Sequence, residues 1–146
     1  MARVSRFEVD LDLARAMSRA ALAAAAHAGA LVSVAVVDAG GHLVLFERMD
    51  GAEIAGPVLA RDKAYTAVAH RIATAELTGL VAPGADLTGM YAADGGRYIA
   101  FAGGLPLWDG DRVIGGVGVS GGSGAQDAAA AHAAYEVYAV ALGTAP

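Results

Sequence analysis

The chain has 146 residues, no cysteine, 56% hydrophobic residues and a formal net charge of −5. This length suits one full core, so a single domain over 1–146 is expected, and the missing thiols exclude disulfides, thiolate metal sites, iron–sulfur clusters and covalent c-type haem attachment. The acidic balance with scattered basic residues speaks against nucleic acid and anionic membranes, no apolar run approaches the roughly 20 residues of a membrane span, and Glu8, Asp10 and Asp12 interrupt any signal-peptide core, which leaves a cytoplasmic location as the default expectation.

Asp10 is placed to cap a helix over 11–28, with Leu13, Met17, Ala20 and Ala24 on one stripe and Gly29 at its stop. Residues 31–37 read as a buried strand, Asp38-Ala39-Gly40-Gly41 as a turn, and 42–48 as the returning strand of a hairpin. A second helix is expected over 58–77. The stretch 78–97 carries Gly79, Pro83, Gly84, Gly89, Gly95 and Gly96 and reads as a long irregular connection, with a helical turn near Met90-Tyr91. Residues 98–102, 105–108 and 112–119 supply three more strands, the last two joined at Asp109-Gly110. Ser123 with Gln126 three residues on forms a capping-box pattern for a final helix that ends near Leu142-Gly143. The fold class expected is α/β of the α+β type, an antiparallel sheet of about five strands flanked by helices. Its alanine-rich helices bury little area each, so further burial between copies, and hence a homo-oligomer, is expected.

The segment from Gly103 to Gly122 holds the strongest pattern. Val113, Gly115, Val117 and Val119 alternate with Ile114, Gly116, Gly118 and Ser120, so one face of that strand is nearly bare backbone. A packed helix, a second subunit or a ligand must approach it closely. Together with Val34-Ala35-Val36-Val37-Asp38-Ala39-Gly40-Gly41, Arg48-Met49-Asp50-Gly51-Ala52 and Lys63-Ala64-Tyr65-Thr66-Ala67, in this order, the segment resembles the GlcG/HbpS family of haem-binding-like proteins, which is related to the PduO C-terminal domain. The resemblance covers nearly the whole chain. It implies a profilin/PAS-like domain, assembly into oligomers, and haem or a related ligand in some members, without implying one activity. It also implies that Asp127 is the family's acidic residue at the start of the last helix; where the family continues with a second acid, this chain has Ala128.

Lys63, Thr66, His70 and Thr74 fall at three- and four-residue steps and share one helical face. Such a face is a solvated surface, a subunit contact or a pocket wall. The candidate nitrogen donors for haem are His27, His42, His70 and His132. His27 suits a helix C-terminus, His42 follows a turn, His132 precedes Glu136 by one helical turn, and His70 is left by elimination. Asp127 suits a helix's first turn, and the loop of Ser120, Gly121, Gly122 and Ser123 offers backbone amides to an anion; the loop lacks the Gly-Lys-Ser/Thr ending of a Walker sequence. Asp50 is expected to pair with Arg48 or Lys63. No histidine pair has metal-site spacing, so no metal is expected.

Two functions of different class follow, beside a purely structural subunit whose polar helix face packs on its own copy. In the first, the chain binds haem, a related tetrapyrrole or a flat hydrophobic metabolite between the glycine-bearing strand and the second helix, through Arg48, Lys63, Thr66, His70, Gly104, Ser120, Gly121 and Gly122. In the second, it is a cofactor-independent isomerase or lyase acting on a small carbonyl or aromatic metabolite. There His70 or Asp127 moves a proton, Lys63 or Arg48 holds a carboxylate, and the loop amides stabilise an oxyanion.

Overall fold

The Asp10 carboxylate accepts from the Leu13 amide at 2.8 Å and starts α1 (Leu11–His27) in the computed structural model, which describes residues 2–143. The buried stripe of α1 is Ala14, Met17, Ser18, Ala21 and Ala25, one residue on from the expected one. Strands β1 (Ser33–Asp38) and β2 (Leu43–Arg48) form the hairpin. Its turn is held by Asp38, whose Oδ1 accepts from the amides of Gly40 and His42, and by Gly41 at φ 80°. Then follow α2 (Gly56–His70), α3 (Thr74–Leu77), β3 (Gly104–Asp109), β4 (Arg112–Ser120) and α4 (Gly124–Ala141). The Ser123–Gln126 capping box of α4 is present with both of its hydrogen bonds.

The strands form one antiparallel sheet in the order β2-β1-β4-β3. Alternation along β1 divides the core. Val34 and Val36 face α1 and α4, together with Val117, Val119 and Leu107, while Ala35 and Val37 face Ala60 and Ala64 of α2. Helices therefore cover both faces, α1 and α4 on one and α2 on the other.

Two expected elements differ. The sheet has four strands, because 98–102 runs over α2 instead of pairing. Its backbone is satisfied by side chains: Ile99 N donates to Thr66 Oγ1 at 2.9 Å, and Thr78 Oγ1 donates to the Ala100 carbonyl at 2.7 Å. The helix expected over 58–77 is broken into α2 and α3 at Arg71, which adopts the left-handed conformation at φ 56° and ψ 41°. That geometry ends α2 as a glycine ordinarily would.

The bare face of β4 is occupied by α2. A Cβ on Gly116 would come within 2.7 Å of the Ala64 carbonyl oxygen, and one on Gly118 would collide with the Ala60 carbonyl. Of the three possible neighbours the fold uses a helix. A ligand between β4 and α2 has no room there.

Candidate functional site

Position 63 lies on the face of α2 that meets β4, and the lysine there is drawn into the interior with its side chain 1% exposed. Its Nζ donates to the Val119 carbonyl at 2.8 Å, to Ser120 Oγ at 3.2 Å and to Asp127 Oδ2 at 3.0 Å. An ammonium has three donors, and here each has an acceptor. The Phe101 ring centroid stands 5.0 Å from the same nitrogen. Asp127, 5% exposed, uses its other oxygen to accept from Gly122 N at 2.8 Å. Burial pushes the Lys63 ammonium below its ordinary 10.5 and outweighs the opposite pull of Asp127. The resulting node fastens α2, β4 and α4 together. Gly103 and Gly104 close its side, since a Cβ on Gly104 would lie 2.5 Å from the Lys63 carbonyl oxygen.

The structure thus brings together Lys63, Asp127, Ser120, Gly122 and Gly104 from the residues singled out in the sequence. It also spends the amides expected to meet an anion: Gly122 N is bound by Asp127 and Ser123 N by Gln126 Oε1 at 2.9 Å. Gly121, at φ 139°, lies against the Leu31 backbone. Arg48 is exposed on the edge strand β2 and makes no ion pair among the described residues, and Asp50 likewise pairs with neither Arg48 nor Lys63.

Thr66 and His70 serve a second cluster. Thr66 Oγ1 donates to the Asp62 carbonyl at 2.6 Å while accepting from Ile99 N. Arg97 pairs with Asp62 at 3.2 Å and lays its guanidinium 3.6 Å over the Tyr65 ring. Tyr65 donates to Asp94, which raises its phenol pKa, and it stacks on Tyr98 at 6.0 Å. The His70 ring meets Tyr98 edge-on at 4.4 Å, and its Nε2 is buried without a partner among the described residues. These contacts pin the long connection to α2 and leave His70 half-buried. Thr74 flanks the Lys63 cluster, its Oγ1 accepting from Gly104 N at 2.9 Å.

One concavity, of about 510 Å³, opens beside Asp62 and Arg97, and two more lie apart from Lys63 and Asp127. A groove of about 250 Å³ runs between α3, β3 and α4, lined by Ile72, Leu105, Pro106, Trp108, His132 and Tyr135, with Arg71 and Glu76 at its rim. A larger one of about 560 Å³ opens at the turn end of the sheet. Among the described residues His132 makes no ion pair with Glu136 and instead lines the first groove. The i, i+3 spacing of His132 and Tyr135 places both on one face of α4 and was the available sequence signal.

Residues 9–136 match the model of a family described as haem degrading protein HbpS-like. Protein ORFY of Klebsiella pneumoniae superposes with a TM-score of 0.91 at 34% identity, covering 95% of this chain and 97% of that one. The structure of a PduOC:haem complex superposes with a TM-score of 0.86 at 38% identity, over 89% of this chain and 94% of that one. The corrinoid adenosyltransferase PduO of Citrobacter freundii is 41% identical over 106 residues, which is 73% of this chain and 32% of that enzyme. The chain thus matches about a third of that enzyme's length.

Proposed function

The chain belongs to the HbpS-like family, and from that premise we propose that it is a ligand-binding protein for haem or a related flat tetrapyrrole, seated in the groove that His132 lines. The observation that carries the proposal is the make-up of that groove: an exposed imidazole beside Trp108, Tyr135, Leu105, Pro106 and Ile72, with the Arg71 guanidinium at the rim. Haem supplies an iron that takes an axial protein donor and carboxylates that seek a cation. His132 fits the donor role and Arg71 the countercharge. The indole and phenol rings cover one face of the macrocycle. The other donors fit less well: His42 lies 3.3 Å from Asp38, His70 has its Nε2 buried and its ring edge-on to Tyr98, and Tyr138 is fully buried with its hydroxyl donating to the Trp108 carbonyl. The PduOC:haem complex, similar over most of this chain, supports the ligand class.

At about 250 Å³ the groove falls below the roughly 300–1,000 Å³ that usually encloses a ligand. A tetrapyrrole seated there keeps one face uncovered, which a second copy would close. Homo-oligomerisation is therefore part of this proposal, supported also by apolar side chains left at the surface, Ile54 at 89% and Val58 at 62% exposure. The proton-transfer alternative draws less support, because Lys63 and Asp127 are enclosed and paired with each other.

Titration of the purified protein with haemin tests this, read by the Soret band and by quenching of Trp108, the one tryptophan of the chain. A stoichiometric transition is expected in wild type, with affinity about tenfold or more weaker in His132→Ala and unchanged in His70→Ala. A Soret band that never saturates would discard haem as the ligand. Equal affinity in His132→Ala would move the donor elsewhere.

A further inference from the structure

The larger groove answers to a different chemistry. It lies between the segment Val4 to Phe7, the β1–β2 turn, the C-terminal end of α2 and the β3–β4 turn. Three guanidinium groups, Arg6, Arg71 and Arg112, line it against one carboxylate, Asp111. In a chain of net charge −5 with ten lysines and arginines, this is a local excess of positive charge. Arg6 and Arg71 form no ion pair among the described residues, and Arg112 meets only the exposed Asp111, at 4.0 Å. Apolar residues, among them Phe7, Val68 and Val113, share the rest of the lining with Ser5, Tyr65 and the turn glycines Gly40 and Gly41. No histidine lines it, so it offers no nitrogen donor to haem iron.

Guanidinium groups bind carboxylates and phosphates through paired N–H donors, and a concave, partly apolar site strengthens that attraction by excluding water. The segment before α1 is tied to the groove floor by the Val9 amide, which donates to the Ile114 carbonyl at 3.2 Å. Arg71 owes its position to the left-handed turn that ends α2. We propose that this groove is a second binding site, for a small organic dianion, a dicarboxylate or a phosphate ester, whose apolar body lies on Phe7 and Val68. Arg71 lines this groove and the His132 groove alike, so Arg6 and Arg112 are what set the site apart; it rests on the lining of the groove and not on the haem reading.

The test is a titration with phthalate and, separately, with phenyl phosphate at constant ionic strength, followed by the arginine Nε–Hε resonances. Saturable shifts of Arg6, Arg71 and Arg112 are expected, with affinity lowered about tenfold or more in the double variant Arg6→Gln/Arg112→Gln. The same titration of Arg19→Gln, on the exposed side of α1, should match wild type. Saturation by one probe alone supports the site and assigns it to carboxylate or to phosphate. Shifts that grow linearly and spread over all arginines, or equal loss in Arg19→Gln, would overturn it. Haemin binding in the double variant should stay as in wild type, since neither residue lines the His132 groove, so the two proposals fail separately.

Discussion

Lys63 and Asp127 hold each other in an interior that would reject either alone. Replacing one partner of a buried pair strands the other charge, so Lys63→Met is expected to lose about 3–5 kcal/mol in urea denaturation, and adding Asp127→Leu to recover much of that loss. Equal stability of the single and double variants would show that the pair is not coupled. Tyr138 gives a pH prediction of definite sign. Burial raises its phenol pKa above the ordinary 10.0, so as pH climbs past that value the unfolded chain loses its proton first and stability falls. In Tyr138→Phe this alkaline decline should flatten, while stability near neutrality drops by about 0.5–1.5 kcal/mol for the lost bond to the Trp108 carbonyl. Residue types and spacing disclosed the Lys63 face of α2 and the first-turn position of Asp127, because both follow from helical period. That the two would meet each other rather than a ligand depends on α2 and α4 converging on the end of β4, a long-range fact that no local pattern carries. The surroundings of His70 are set in the same way, by Tyr98, 28 positions away, which stands edge-on to its ring.

At the level of elements, the glycines of β4 were the clearest sign in the chain, and they mark the seat of α2. Gly118→Ala should cost about 3 kcal/mol or more, because its methyl group would meet backbone that cannot swing aside. Gly110→Ala, in a turn with open space around it, should cost about 1 kcal/mol for the strained φ of 59° alone. Thermal unfolding of both variants checks the contrast, and comparable losses would mean that α2 can move off β4 to admit a methyl group. The capping boundaries at Asp10 and Ser123 were legible because a cap is a local event. The break at Arg71 was not, since no glycine or proline announces it. Nor was the fate of 98–102, whose sequence is compatible with a strand but whose Ile99 amide and Ala100 carbonyl meet the side chains of Thr66 and Thr78 instead.

Across the whole molecule, the family and the antiparallel sheet between helices followed from four short motifs in order, two of which, the Lys63 segment and the glycine-bearing strand, sit where main chain meets main chain. The grooves did not follow. Arg6, Arg71 and Arg112 are separated by 65 and 41 positions and meet only once the turns at one end of the sheet are folded. The contact of α2 with β4 has one more consequence. Where two layers meet through side chains, each can shift by trading rotamers, and the joint yields a little at a time. Here main chain rests on main chain at Gly116 and Gly118, so nothing soft lies between them, and helix and strand must part together or not at all. The amides of 114–119 and of the middle of α2 should therefore exchange with deuterium at one common rate set by global unfolding, slower than those of β2 at the open edge. Faster, independent exchange in α2 would reveal a hinge at the helix that this joint does not permit.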